Sequence, residues 1–416
     1  MWNVHGAMSA SSPAPFDAQA FDAHVMSTYA RFPIALERGE GCRVWDTTGR
    51  AYLDFAAGIA TCTLGHAHKN LVEAVTRQIG KLHHVSNLFY IPEQGALAAL
   101  LAGLGAGERA FFCNSGAEAN EAAIKLARKY GRTRLGIERP VVIAAQASFH
   151  GRTLATVTAT GQAKYQQNFD PLVPGFVHVP YTDAAALGEA IVELDRERKQ
   201  VAAVLLEPLQ GEGGIRPGDP AVFRKIRELC DARGILLMFD EVQVGVGRSG
   251  KWWGHQHLEV EADVITLAKG LAGGLPIGAM LCKPSCDVFQ PGDHASTFGG
   301  NPLVCAAALT VLMTLEKDKL VDNARLRGEQ LRAGLQALAK SSPGKIAEVR
   351  GWGLLLGAEL GPAEPRTSAE IARAALDAGL LVVPAGPRVV RFVPPLIVST
   401  AEIDEALAVF ARGLAG

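Results

Sequence analysis

The chain has 416 residues, with 41 Lys plus Arg against 42 Asp plus Glu and a formal charge of −1. Hydrophobic residues make up 48% and charged residues 20%, which excludes a disordered chain and leaves ample material for a core. The near-zero balance removes the electrostatic motive for binding nucleic acid or an acidic membrane surface. No apolar run reaches the ~20 residues that span a bilayer.

The N-terminus, Met1-Trp-Asn-Val-His5, has no basic stretch followed by an apolar one, so no signal peptide is expected. Residues 9–15 read as a loose leader, and Met1 and Met8 are both candidate starts. Seven cysteines, at 42, 62, 113, 230, 282, 286 and 305, form no CxxC pair, and their number is odd. That points to a reducing compartment, the cytoplasm, rather than a disulfide framework, and no metal site is expected. The histidine clusters at 66/68, 83/84 and 255/257 lack paired acids at ligand spacing and read as structural.

The middle of the chain alternates short apolar runs with amphipathic stretches. Residues 141–145, 201–206, 235–239 and 264–267 are apolar runs of strand length, and 221–232 is helical between two of them. Such alternation predicts α/β architecture, a mostly parallel sheet flanked by helices. From a helical run over 303–316 the character changes to a smaller α+β unit, expected to be completed by the N-terminal segment. The expected organisation is 1–60 with the small domain, 61–306 as the large domain and 307–416 as the C-terminal small domain.

Polar residues follow the apolar runs. Ser148-Phe-His-Gly-Arg152, Glu207-Pro-Leu-Gln-Gly-Glu212, Asp240-Glu-Val-Gln243 and Ala268-Lys269 each stand after a run. In parallel sheets ligands bind outside the carboxyl ends of the strands, so four runs would deliver polar groups to one rim. Cys113-Asn-Ser-Gly-Ala-Glu-Ala-Asn120 opens a helical pattern with small residues. This is either a phosphate cradle or a plain Ser115 cap with Glu118 at N3. Lys269, next to an apolar run and a glycine-rich turn, could be a nucleophilic amine or an ordinary surface lysine. A phosphate cradle, an aspartate, an aromatic residue and a reactive lysine on one rim are economically explained by pyridoxal 5'-phosphate.

The motifs Leu64-Gly-His-Ala-His68, Asn114-Ser-Gly-Ala-Glu-Ala-Asn-Glu121, Phe149-His-Gly-Arg152, Glu207-Pro-Leu-Gln-Gly-Glu-Gly-Gly214, Phe239-Asp-Glu-Val-Gln243, Ala268-Lys-Gly270, Ser296-Thr-Phe-Gly-Gly-Asn-Pro302 and Arg391-Phe-Val-Pro-Pro395 occur in that order. Together they resemble the class III pyridoxal-phosphate aminotransferases of fold type I, most closely the members acting on acetylornithine. The resemblance runs from about Tyr29 to the C-terminus. It implies that Lys269 carries the cofactor and moves the proton, and that Ser115, Gly116 and Ala117 hold the phosphate. It further implies that Phe149 stacks on the ring, Asp240 pairs with the ring nitrogen and Gln243 reaches the ring hydroxyl. Ala117 stands where many relatives have Thr, which matters little if its backbone N–H is the contact. Thr297 matches a residue that binds the phosphate of the neighbouring subunit, so a homodimer with shared sites is implied.

For substrates, Arg152 resembles the residue that binds the far carboxylate. Arg391 resembles the one that binds glutamate's near carboxylate, and Glu212 the acid that masks it. Asn87 and Ser296 are further substrate candidates. The implied reaction passes the side-chain amine of N-acetylornithine to 2-oxoglutarate by ping-pong chemistry, in arginine synthesis. Ile59 stands where ornithine aminotransferases generally have Tyr, which leans toward an acylated amine. Succinylornithine, succinyl-diaminopimelate (and so lysine synthesis), ornithine and 4-aminobutyrate are the alternatives. Gly245-Val-Gly-Arg-Ser-Gly250 is a literal dinucleotide fingerprint, but no helix pattern follows it, so a dehydrogenase is a remote reading. A non-catalytic binding protein would have no use for Lys269, Asp240 and Arg152 together.

Overall fold

The four apolar runs become four adjacent parallel strands, Pro140–Ala145, Gln200–Leu206, Leu236–Asp240 and Val264–Leu267, side by side in that order. Phe176–Val179 extends one edge in parallel; Gly278–Cys282 and then Arg109–Cys113 extend the other. Gly278–Cys282 is antiparallel to both neighbours, so the seven-stranded sheet is mostly parallel. That strand is poorly marked in the sequence, because it begins with glycine just past a glycine-rich turn. The computed structural model describes residues 16–415; the leader at 9–15 and both candidate starts lie outside the described residues.

Both faces of the sheet are covered. Every residue of Leu236–Asp240 and Val264–Leu267 is buried, as strands packed on two sides require. The helix expected over 221–232 runs Pro220–Arg233. The Asp219 carboxylate accepts from Ala221 N and Val222 N, Pro220 opens the first turn, and Gly234 ends it at φ 66°.

The C-terminal part builds a second sheet from Ile346–Trp352, Leu355–Leu360, Val389–Phe392 and Val383–Pro384. The N-terminal strands Leu36–Glu40, Arg43–Asp46 and Ala51–Asp54 form a third, closed by Leu380–Leu381. Leu53 and Asp54 pair in parallel with Leu380 and Leu381, so the N-terminal strands join the C-terminal part. The boundary expected at 306/307 falls inside one unbroken helix, Pro302–Lys317. That helix buries Val304, Cys305, Ala307, Ala308, Val311, Leu312 and Leu315, and packs on Lys69–Lys81 and Pro92–Gly103. It is apolar on most of its circumference, so it belongs to an interior. Among the described residues no helix is long and apolar enough to cross a membrane.

Candidate active site

At the carboxyl ends of the parallel strands lies a cavity of about 370 Å³. It is lined by Asn114, Ser115, Gly116, Ala117, Phe149, Arg152, Glu207, Glu212, Asp240, Gln243 and Lys269, among others. Residues up to 216 positions apart in sequence, from Thr61 to Ile277, therefore converge on one cleft.

Ser115 caps the helix Gly116–Thr133, its hydroxyl accepting from Glu118 N at 3.2 Å and donating to Glu118 Oε2 at 3.0 Å. The Glu118 carboxylate reaches back to Asn114 N at 3.0 Å. Such a cap is worth ~1 kcal/mol. The backbone N–H groups of Gly116 and Ala117 have no acceptor among the described residues. Cap and anion cradle thus coexist, since the side chain serves the first and the open N–H groups suit the second. The turn packs against Gly278, where a Cβ would lie 2.2 Å from Ser115 O.

Asp240 is the last residue of its strand and is buried. Its Oδ2 accepts from His150 Nδ1 at 2.8 Å and Asn120 Nδ2 at 2.8 Å, and its Oδ1 from Val242 N at 3.0 Å. Asn120 Oδ1 in turn accepts from Thr266 Oγ1 at 2.7 Å. His150 Nε2 is buried and finds no partner among the described residues. His150 and Asn120 stand inside sequence motifs that do not reveal their partnership with Asp240. Only the fold brings them to Asp240, from 90 and 120 residues away.

Lys269 follows its strand with φ 37°, in the left-handed region. Burial pushes its ammonium below the ordinary lysine range, with Glu212 opposing. Phe149 meets Tyr165 edge to face at 5.6 Å between ring centres. The Arg152 guanidinium lies 3.9 Å from the centre of the Tyr165 ring and 5.4 Å from that of Phe149, which orients a charged fork at the cleft.

Arg391, 1% exposed, comes from the C-terminal sheet. One terminal nitrogen donates to Glu212 Oε1 at 2.5 Å and to Gln243 Oε1 at 2.9 Å; the other donates to Pro384 O at 3.4 Å. Burial alone would raise the Glu212 carboxyl, but Arg391 and then Lys269 outweigh it and hold it below the usual range. Gln243 Nε2 also reaches Glu212 Oε1 at 3.4 Å, so the Gln243 amide bridges the pair. Glu207, unassigned from the sequence, is a second buried carboxyl at the cleft, raised by burial to about 7.

Arg391 is not itself on the cleft lining but touches the lining residues Glu212 and Gln243, and three further residues singled out from the sequence lie elsewhere. Asn87 and Ser296 do not line this cleft. Asn87 Nδ2 donates to Ser296 O at 3.1 Å and Gly299 O at 2.9 Å, while Ser296 Oγ accepts from Gly299 N at 3.0 Å and Asn114 Nδ2 at 3.2 Å. Both side chains are occupied in holding the 296–299 turn. Thr297, at its centre, is exposed. The 245–250 segment opens no helix. Its Arg248 is buried and donates to Leu354 O at 3.1 Å and to Pro394 O, which fastens the C-terminal part to the sheet. Among the histidines, His66 Nε2 contacts Asp54 Oδ2 at 2.7 Å and His255 Nδ1 contacts Glu241 Oε1 at 2.8 Å. Among the described residues no group of three or more His, Cys, Asp or Glu is placed to hold a metal ion, and all seven cysteines are free.

The family model Aminotransferase class-III matches residues 25–414. The acetylornithine aminotransferase of Thermosynechococcus vestitus is 67% identical over 406 residues, covering 97% of this chain and 98% of that protein. That of Nostoc sp. is 64% identical over 405 residues, covering 97% and 95%. Among solved structures, the ornithine aminotransferase of Toxoplasma gondii matches with a TM-score of 0.90 at 34% identity, covering 95% of this chain and 94% of that one. The N-acetylornithine aminotransferase of Stenotrophomonas maltophilia matches with a TM-score of 0.81 at 39% identity, covering 93% and 97%.

Proposed function

The chain belongs to the class III aminotransferases, and from that premise we infer that it moves the side-chain amine of N2-acetyl-L-ornithine to 2-oxoglutarate. The products are N-acetyl-L-glutamate 5-semialdehyde and L-glutamate, a step of arginine synthesis in the cytoplasm. The observation that carries this reading is the Arg391–Glu212 pair. An ω-amine has no carboxylate beside the reacting carbon. A bare guanidinium in a dry cleft would cost several kcal/mol, and Glu212 covers it. Glutamate does bring such a carboxylate, and a planar guanidinium can take it in place of Glu212. One chain can thus accept both amines. Arg152, stacked on Tyr165, is the group for the carboxylate that both share at the far end.

The cleft fits pyridoxal phosphate. The open N–H groups of Gly116 and Ala117, with Ser115 beside them, suit its phosphate. Phe149 suits a ring face, Asp240 a protonated ring nitrogen, Gln243 the ring hydroxyl and Lys269 the carbonyl carbon. The chemistry supplied when the cofactor is bound is a carbon that carries the amine and a ring that draws off the electron pair of a broken C–H bond. Lys269, its pKa lowered by burial, would take the proton from the substrate carbon as general base and give it up as general acid to the carbon that carries the amine. Asp240 is held as an oriented anion by His150, Asn120 and Val242 N, so it needs no reorganisation. We place Thr297 at the partner's site in a homodimer, where an exposed residue on an apolar surface is well situated to serve it.

The test is an absorbance spectrum of purified protein mixed in turn with N-acetylornithine, ornithine, succinylornithine and 4-aminobutyrate, with no oxo acid present. The yellow cofactor band should bleach fastest with N-acetylornithine. Fastest bleaching with ornithine would move the protein to the activity named for its Toxoplasma gondii neighbour. A protein that stays colourless after pyridoxal phosphate is added would sink the cofactor assignment.

A further inference from the structure

Glu212 sits on a loop clamped on both sides. On one side the Glu207 carboxylate accepts from Gly211 N at 3.0 Å and, through its other oxygen, from Phe149 N at 2.9 Å. On the other side stands Arg350, which is 9% exposed. Its Nε donates to Gly214 O at 2.9 Å and Ile215 O at 3.1 Å, and one terminal nitrogen donates to Gly214 O at 2.7 Å. The other terminal nitrogen pairs with Glu348 at 2.6 Å and with Glu359. Arg350 lies on Ile346–Trp352, in the same sheet as the strand that carries Arg391.

The loop is also strained where Arg350 grips it. Ile215 is fully buried with φ 54°, a left-handed backbone that a β-branched residue rarely accepts. Such a conformation persists only where the surroundings over-determine it. Glycines make the room: a Cβ at Gly351 would lie 3.0 Å from Ile215 Cγ2, and one at Gly357 would lie 2.9 Å from Ile215 Cβ. Between the two clamps stand only Glu212 and Gly213. Gly213 is itself tightly seated, since a Cβ there would lie 2.7 Å from Ala147 O.

We propose that Arg350 is a positioning residue for substrate selection. By tying Gly214 and Ile215 to the sheet that carries Arg391, it fixes the backbone of Glu212, so that this side chain leaves and returns to Arg391 by rotation alone. The proposal rests on the reading of Arg391 and Glu212 given above. The ω-amine half-reaction needs the Arg391 charge covered; the glutamate half-reaction needs it uncovered. A loosened loop covers Arg391 less well. It therefore harms the first half-reaction and spares or favours the second.

The experiment measures kcat/KM for each half-reaction separately, with N-acetylornithine and with glutamate, on the holoenzyme and on Arg350→Met, Arg350→Lys and Glu359→Gln. The acetylornithine-to-glutamate ratio should fall about tenfold in Arg350→Met and about two- to threefold in Glu359→Gln, with Arg350→Lys between them and the cofactor band unchanged. A purely structural role lowers both half-reactions together. An unchanged or increased ratio overturns the proposal. Should Arg350→Met fail to fold, Glu359→Gln decides, because it keeps the guanidinium and removes one of its anchors. A wild-type protein that reacts with no ω-amine would instead overturn the proposed function, before any variant is compared.

Discussion

Lys269 and Glu207 line the same cleft and are shifted by the same force in opposite directions. Burial disfavours the charged form of each, so the lysine moves down and the carboxyl moves up to about 7. For Lys269 the consequence is a larger share of free amine at neutral pH. Lys269→Ala should lower turnover by about a thousandfold or more, with the yellow band lost or shifted, in a stopped-flow half-reaction. A variant that kept wild-type rates would remove Lys269 from the chemistry. For Glu207 the consequence is linkage. Its carboxyl ionises near 4.5 in an unfolded chain and near 7 in the folded one, so folding takes up a proton between those values. The stability it contributes is full below about 4.5 and is lost as pH rises to about 7. The melting temperature of the wild type should therefore fall across this window relative to Glu207→Gln. Parallel profiles would show that Glu207 does not titrate there.

The segment from Asp54 to Thr63 is the element where backbone strain meets the cleft. Ala57, Gly58, Ile59 and Ala60 all have positive φ, from 45° to 64°, and so form one left-handed turn. Asp54 Oδ1 holds its start by accepting from Ala56 N at 2.9 Å and Ala57 N at 2.8 Å, while His66 fixes the other carboxylate oxygen. The Thr61 hydroxyl donates to Gly58 O at 3.2 Å, and Thr63 Oγ1 donates to Gly270 O at 2.9 Å, one residue past Lys269. Each non-glycine residue in such a turn costs roughly 1–2 kcal/mol, and a β-branched one is the worst case. Ile59 is 42% exposed, so little burial repays it. Ile59→Asn should therefore raise stability by roughly 1 kcal/mol in chemical denaturation while lowering preference for N-acetylornithine over ornithine. A loss of stability would refute the strain argument. This turn also marks where sequence reading stops. The run 264–267 was legible to the residue because a strand buried on both faces writes itself as continuous apolar residues. The turn at 57–60 is entered through Asp54, whose other carboxylate oxygen His66 fixes, and is followed by Thr63 bonded to Gly270 O; three positive-φ residues other than glycine are not announced by Ala-Gly-Ile-Ala itself. The partnership of His150 and Asn120 with Asp240 was hidden for the same reason. Those residues were visible inside their motifs, but their partners are supplied by the fold.

At the scale of the whole molecule the question is which chain completes which cleft. Leu88, Phe89 and Tyr90 are exposed, and Asn87 fastens their loop to the 296–299 turn, where Phe298 is exposed beside Thr297. The two loops present a large apolar surface that a monomer would leave in water, the mark of an interaction site. A second copy of the chain would cover it and could bring Thr297 of the partner subunit to the phosphate end of the cleft. Sedimentation should then give about twice the chain mass of 44.0 kDa. A sharper test uses two defective variants. In Lys269→Ala the site lacks its amine; in Thr297→Ala it lacks the threonine and should need about tenfold more pyridoxal phosphate for half-saturation. If each cleft takes both residues from one chain, co-expressing the two variants yields no site with both. If the cleft is shared, a heterodimer holds one site that has lost both residues and one that has both intact, with Lys269 from the Thr297→Ala chain and Thr297 from the Lys269→Ala chain. Activity at limiting cofactor should then appear in the mixture and in neither parent. No recovery would place Thr297 outside its neighbour's site.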